Sequence, residues 1–246
     1  MKYAKDTRPK GVANKAAEVL VEALPWIKNI TGKTVVIKYG GSAMVDEQLR
    51  ADVMNDIVLL KIVGVNPVIV HGGGKAITEA MDFLQLPVEF KDGQRVTTPE
   101  AMDLVRTVLM GKVNQELVEA LNEHGNFAVG VSGADAGVIV AEQASPELGR
   151  VGRITRINSP LLDDLVAGDY IPVVASVALG EDGGFYNVNA DWWRATSRPL
   201  SARTRWCSSP MWTACTRTSR TRTRSSRTSR CSRRSTWWRT TSCPPA

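Results

Sequence analysis

An α/β fold with a mostly parallel sheet follows from three features of the first 191 residues. Short β-branched apolar runs at 34–37 and 67–70 each end in glycines. Between them, Leu49, Val53, Ile57 and Leu60 recur at helical spacing. The runs are apolar on consecutive residues, as in strands covered on both faces. Strand–helix–strand order of this kind defines layered α/β architecture.

Taken in order, residues 14–30 form a helix with Ala17, Leu20, Leu24 and Ile27 on one stripe, packed on its own domain or on another subunit, and Pro25 should kink it. Strand 34–37 follows, then a helix over 46–63 with Asp46 as its N-cap. After strand 67–70 comes a helix over 75–84. Thr98-Pro99-Glu100 supplies a cap, a first-turn proline and a first-turn acid, opening a helix that runs to about His124 and stops at Gly125. Residues 127–131, 137–141 and 151–157 read as strands, with an antiparallel insert or edge among them. Ser159-Pro160 opens a short helix closing near Gly168, and 171–177 is a further buried strand. Glu181-Asp182-Gly183-Gly184 is a turn.

Charge divides the chain unequally. Its 246 residues hold 31 Lys+Arg and 25 Asp+Glu, a formal charge of +6. All 25 acids lie at or before Asp191, where only 18 basic residues oppose them. The last 55 residues carry 13 Arg, no Lys and no acid, together with all four cysteines and six of seven tryptophans. One uniform globular chain is thereby excluded. No run of 18 apolar residues marks a membrane span, and residues 1–12 lack a signal-peptide apolar core. Residues 1–191 have no cysteine, so a disulfide framework is excluded there, and a cytoplasmic protein is expected.

Four constellations carry chemistry. In Val35-Val36-Ile37-Lys38-Tyr39-Gly40-Gly41-Ser42, a strand delivers one lysine beside two glycines. Glycines let backbone amides approach an anion, and lysine adds a point charge. A solvated lysine before an ordinary turn fits equally well. In Val68-Ile69-Val70-His71-Gly72-Gly73-Gly74-Lys75, three glycines stand between a strand and a helix N-terminus, an anion cradle reinforced by the helix dipole. His71 reads as a hydrogen-bonded structural residue rather than a base. With His124 the only other histidine, a histidine metal cluster is excluded. In Asp92-Gly93-Gln94-Arg95-Val96-Thr97, Arg95 sits in a loop before a helix, suited to a carboxylate or to a surface ion pair. In Tyr186-Asn187-Val188-Asn189-Ala190-Asp191, two amides and a carboxylate share one face if the segment is a strand. A turn rich in Asn and Asp is the alternative.

Together IKYGG, VIVHGGG, DGQRVT and YNVNAD resemble the amino-acid kinase family, and within it the acetylglutamate kinases, over about residues 15–191. The resemblance implies a three-layer sandwich and ATP-dependent phosphorylation of the γ-carboxylate of N-acetyl-L-glutamate in arginine biosynthesis. It implies that Lys38 stabilises the transferring phosphoryl group and that Asp191 organises the catalytic lysines. Gly40 and Gly41 would line the phosphates. Gly72, Gly73 and Gly74 would meet substrate and phosphoryl oxygens, Arg95 would hold a substrate carboxylate, and Asn187 and Asn189 would bind the acetylglutamate. Magnesium would accompany ATP, with no metal ligands assigned in the chain. The N-terminal helix resembles that of hexameric, arginine-inhibited members, implying a homo-oligomer.

The family pattern stops at Asp191. The resemblance calls for an apolar strand, a Thr-Asp-Val-Asp-Gly-like loop and a nucleotide-binding lobe with a second lysine. Instead, 35 of the last 55 residues are Arg, Ser or Thr, a composition that cannot build a core. The genetic code offers an explanation, because Met and Trp have single codons. Reading one base earlier, Met211 can become Asp, Trp212 becomes Val, Thr213 becomes Asp, Ala214 can become Gly and Cys215 can become Leu. Trp206 becomes Leu, Met or Val, Cys207 becomes Val, and Pro210 can become Thr. The hidden peptide can read as an apolar strand followed by Thr-Asp-Val-Asp-Gly.

The organisation expected is an N-terminal helical arm at 1–33, a substrate-binding lobe at 34–191, and an out-of-frame tail at 192–246 that is not a domain. The C-terminal lobe is then missing or disordered, and this chain as written is expected to be inactive and to fold poorly, because the sheet loses strands that should cover its core. Competing readings are a catalytically dead acetylglutamate- or arginine-binding module, a kinase for another small acid, and a nucleic-acid binder using the arginine-rich tail.

Overall fold

A computed structural model describes residues 10–44, 46–190 and 205–208. The expected tail, 192–246, lies outside the described residues apart from 205–208, and so does Asp191.

The chain opens with α1 (Lys10–Ile30), which continues through Pro25. Strand β1 (Thr34–Tyr39) leads through a 3-10 turn (Gly41–Met44) into α2 (Glu47–Ile62). Asp46 caps α2, accepting the Leu49 amide at 3.0 Å, as its position before the apolar stripe predicts. Strand β2 (Asn66–His71) and α3 (Gly74–Phe83) follow. A two-stranded hairpin, β3 (Phe90–Lys91) and β4 (Gln94–Arg95), stands where the sequence suggests only a loop. Arg95 therefore projects from a strand. Thr98 caps α4 (Pro99–Val108), which passes into a π turn (Leu109–Asn114) and α5 (Gln115–Asn122). The single long helix expected there is thus interrupted by a π segment.

Next come β5 (Ala128–Ser132), β6 (Ile139–Gln143), β7 (Val151–Ile157), α6 (Pro160–Ala167), β8 (Ile171–Ala175), β9 (Val177–Gly180) and β10 (Phe185–Val188). The run expected at 171–177 divides at Ser176 into β8 and β9. A last described strand, β11 (Arg205–Ser208), completes the order.

The main sheet has the order β11-β1-β2-β8-β5 and is parallel throughout. The remaining strands close a small mixed barrel, β10-β7-β6-β9. The antiparallel element expected from sequence is this barrel, through its β6–β7 and β9–β10 pairs.

Alternation along the parallel strands builds two cores. Ile37, Tyr39, Ile69, Val173 and Ala175 pack against buried residues of α2, α3, α4, α5 and the π turn. Val36, Val68, Val70, Val131 and Val174 pack on the opposite face against Leu162 of α6 and Ile139, Ile154, Tyr186 and Val188 of the barrel. Helices, sheet, and barrel with α6 form three layers, each core held by burial of apolar surface.

A short bridge ties the segment after β4 to the barrel. Thr97 N donates to Leu148 O at 3.0 Å, and Arg150 N donates to Thr97 O at 2.6 Å. Gly149 sits between with φ +65°, and a Cβ there would collide with Thr97 O. Gly149→Ala adds a left-handed-region penalty to an overpacking cost, so we expect it to destabilise the fold by about 2–3 kcal/mol in urea unfolding. An unchanged midpoint would contradict this close approach.

Candidate functional site

Strands β1, β2 and β8 all end on the same edge of the sheet, where ligands of open α/β proteins bind. A cavity of about 250 Å³ opens there. Lys38 and Gly40 line it from the end of β1, Gly72, Gly73 and Gly74 from the end of β2, and Ser176 from the end of β8. Arg95 lines it from β4, and Asn187 and Asn189 from the end of β10. The four separated constellations of the sequence thus converge on one cleft. Of the expected site residues only Asp191 lies outside the described residues. Asn187 stands within β10, whereas Asn189 lies just past its end.

Each side chain has a local cause. Lys38 reaches back over Gly40, so that a Cβ on that glycine would lie 3.5 Å from Lys38 Cε. The glycine run enters α3 with Gly73 as its N-cap, leaving the first helical amides without intrahelical acceptors. Gly73 is required by packing, since a Cβ would stand 2.7 Å from Leu109 Cδ2 and 3.1 Å from Val113 Cγ2. At Gly74 a Cβ would meet nothing within 4 Å. Its bare backbone instead leaves room above the helix N-terminus, a preferred position for an anion.

Arg95 is only 6% exposed, with its guanidinium held among four groups. Its Nη2 donates to Gly74 O at 2.9 Å and Thr78 Oγ1 at 2.6 Å, and its ring neighbour Phe90 lies 4.7 Å away, centroid to Cζ. Burial pulls its pKa below the ordinary arginine value, against the charge of Asp82. Its Nη1 donates to Met81 Sδ at 3.5 Å, so the side chain is immobilised where it lines the cleft. The sequence alternative of a surface ion pair does not describe this buried residue.

Sequence reasoning missed several lining residues. Gln94 Oε1 is buried and has no hydrogen-bond partner, leaving an acceptor at the cleft. Gln94 stood inside the DGQRVT motif but beside a more conspicuous arginine. Ser176 and Phe90 carry no spacing signal that would have singled them out.

His71 is structural, as the sequence suggests. It is fully buried, with Nδ1 bonded to Gly72 O at 3.0 Å and Nε2 bonded to Asn114 Nδ2 at 2.9 Å. Burial pushes its pKa down to about 4. The folded state therefore binds fewer protons than the unfolded chain between pH 6.5 and pH 4. Stability from this group is complete above about pH 6.5 and is lost as pH falls toward 4. We expect the native chain to lose about 2 kcal/mol more than a His71→Asn variant between pH 7 and pH 5, read from urea midpoints. Equal losses in both proteins would contradict it.

The layered fold, with glycines and a lysine lining one cleft at the strand ends, defines a layered α/β protein. Comparison with known proteins narrows the class. Residues 33–192 match the Amino acid kinase family, and the chain belongs to that family. It is 51% identical over 180 residues to the acetylglutamate kinase of Halothermothrix orenii, covering 71% of this chain and 62% of that protein. With the acetylglutamate kinase of Stutzerimonas stutzeri the identity is 46% over 198 residues, covering 75% and 66%. The chain thus spans about three-fifths to two-thirds of the length of these curated relatives. Among solved structures, smu.665 from Streptococcus mutans aligns with a TM-score of 0.60 at 32% identity, covering 65% of each chain. An N-acetylglutamate synthase from Neisseria gonorrhoeae aligns with the same TM-score at 18% identity, covering 71% of this chain and 40% of that one, which shows the shared fold.

Proposed function

We propose that this chain is the acetylglutamate-binding part of an acetylglutamate kinase. That enzyme transfers the γ-phosphoryl group of ATP to the γ-carboxylate of N-acetyl-L-glutamate, forming N-acetylglutamyl 5-phosphate for arginine biosynthesis. The observation that carries the reading is one cleft lined by Lys38, the 72–74 glycines, Arg95, Asn187 and Asn189, in a chain 46–51% identical to enzymes of that name.

The chemistry asks for positioning and positive charge more than for a protein nucleophile. An ionised γ-carboxylate oxygen attacks the γ-phosphorus, ADP departs, and no proton has to move. Arg95 holds the α-carboxylate of the substrate by charge-assisted hydrogen bonds, while Asn187 and Asn189 orient its polar groups. Amides of Gly72, Gly73 and Gly74 meet the reacting oxygens, and Gly40 and Gly41 line the phosphates. Lys38 neutralises charge on the transferring group, and Asp191 orders the lysines. Magnesium arrives on the phosphates of ATP as part of the substrate. Among the described residues no group of three His, Cys, Asp or Glu could hold a metal by itself, so no step is assigned to a resident ion.

The reading extends to organisation. We divide the chain into an arm at 1–33, a lobe at 34–191 and an out-of-frame tail at 192–246, and the family match over residues 33–192 supports the middle part. No lysine follows residue 191, so a second catalytic lysine is lacking. The chain as written binds acetylglutamate without turning it over. Exposed Val19, Leu20, Leu24 and Trp26 on α1 supply an apolar surface for a second copy of the arm, in line with a homo-oligomer that arginine could regulate. No described helix is long and apolar enough to cross a membrane, and we assign the protein to the cytoplasm.

Calorimetry combined with an ADP-release assay tests the proposal. We expect one saturable acetylglutamate site per chain and no ADP release above background. Robust turnover would refute the tail reading, and salt-dependent DNA binding lost on deletion after Asp191 would favour a nucleic-acid role instead.

A further inference from the structure

His71 has no part in the phosphoryl chemistry, yet it is buried one residue before the cleft. A carbonyl oxygen only accepts and an amide nitrogen only donates. Its contacts with Gly72 O and Asn114 Nδ2 therefore fix one neutral tautomer, with the proton on Nδ1 and the lone pair on Nε2. Asn114 Nδ2 gives its other hydrogen to Val173 O of β8 at 2.8 Å. A chain of three hydrogen bonds thus runs from the sheet, through Asn114 and His71, to the carbonyl of the first loop glycine.

That carbonyl sets the direction of the next amide. No peptide bond in the described structure is cis, and in a trans peptide the N–H points opposite to the preceding C=O. Gly72 O turns toward the buried imidazole, so the Gly73 N–H turns away from it, and Gly73 itself lines the cavity. The π turn acts on the same loop twice. Its last residue is Asn114, and its Leu109 and Val113 leave no space for a side chain at Gly73. Such π turns are frequent at functional sites. Gly130 completes the device, because a Cβ there would collide with Asn114 Oδ1.

The geometry points to Asn114 and His71 as positioning residues that aim the Gly73 amide at the anionic group held in the cleft. This rests on the acetylglutamate reading for the identity of that group. The test compares the full 246-residue chain with His71→Asn, His71→Gln and Asn114→Leu variants, using N-acetyl-L-glutamate titration, melting temperature and the Gly73 amide NMR signal. Asparagine keeps an N–H near the place of Nδ1 and can still bond Gly72 O. Glutamine reaches only the place of Nε2.

We expect His71→Asn to bind within about threefold of the parent, and His71→Gln and Asn114→Leu to bind at least about tenfold more weakly. The free Gly73 amide signal should move in the last two and stay in the first. A His71→Gln variant that binds like the parent, or losses that simply follow melting temperature in all three, would overturn the inference. Should Asn114→Leu not fold, the two His71 variants carry the comparison. A parent chain that fails to bind acetylglutamate refutes the ligand reading. The Gly73 signal then decides the positioning role alone, and its constancy in His71→Gln would overturn it.

Discussion

A chain re-coded one base earlier from codon 192 onward should phosphorylate acetylglutamate at least about 10³-fold faster than the chain as written. The shifted frame would replace a lysine-free tail with codons that allow an apolar strand and a Thr-Asp-Val-Asp-Gly loop. The position of β11 gives this a physical basis. Its backbone pairs in parallel with β1, Val35 beside Arg205 and Lys38 beside Ser208, so the strand ends level with the cleft lysine. The shifted-frame loop begins two codons later, at Pro210. Main-chain pairing is largely indifferent to side chains, but burial is not. In the shifted frame Trp206 and Cys207 become aliphatic, as a sheet strand requires. Deleting a single oxyanion donor costs 10²–10³ in typical enzymes, the scale on which the expected difference rests. ADP release from both chains under identical conditions measures the effect. Equal rates would refute the frame account.

The second large effect concerns Arg95. Arg95→Lys should weaken acetylglutamate binding about 100-fold, or about 2.7 kcal/mol, although the charge is retained. Three of the guanidinium contacts, Gly74 O, Thr78 Oγ1 and Met81 Sδ, belong to the protein. A planar fork can keep them and still present donors to a carboxylate, whereas one ammonium must abandon one set or the other. Titration calorimetry on the variant reads the loss directly. Affinity within about threefold of the parent would mean that Arg95 serves α3 rather than the ligand.

Much of this was legible from residues alone, for identifiable reasons. The strand at 151–157 is found at the expected bounds, and Asp46 and Thr98 cap the helices they precede. These are local signals, fixed by propensity and by short-range hydrogen bonds. The cleft was legible because its glycines and its lysine fall at strand ends, where parallel α/β sheets gather ligands.

Other elements left no local trace. The β3–β4 hairpin has two residues per strand, too few to show a period of two, so Arg95 looked like a loop residue. The π turn widens a continuous helical pattern, and the apolar spacing from Ala101 to Leu121 survives it. Closure of the barrel depends on β10 meeting β7 across more than thirty residues, a pairing no window of sequence contains. Asn114 and Gly130 are joined only through the packing of the π turn on β5, and neither residue type announces it.

The most direct test of the account is titration of the 246-residue chain with N-acetyl-L-glutamate, using L-glutamate as the control. The account predicts saturable one-to-one binding of the acetylated acid, abolished or strongly reduced in Arg95→Lys. An absence of binding, or equal response to any small dicarboxylate with Arg95→Lys unaffected, would contradict it.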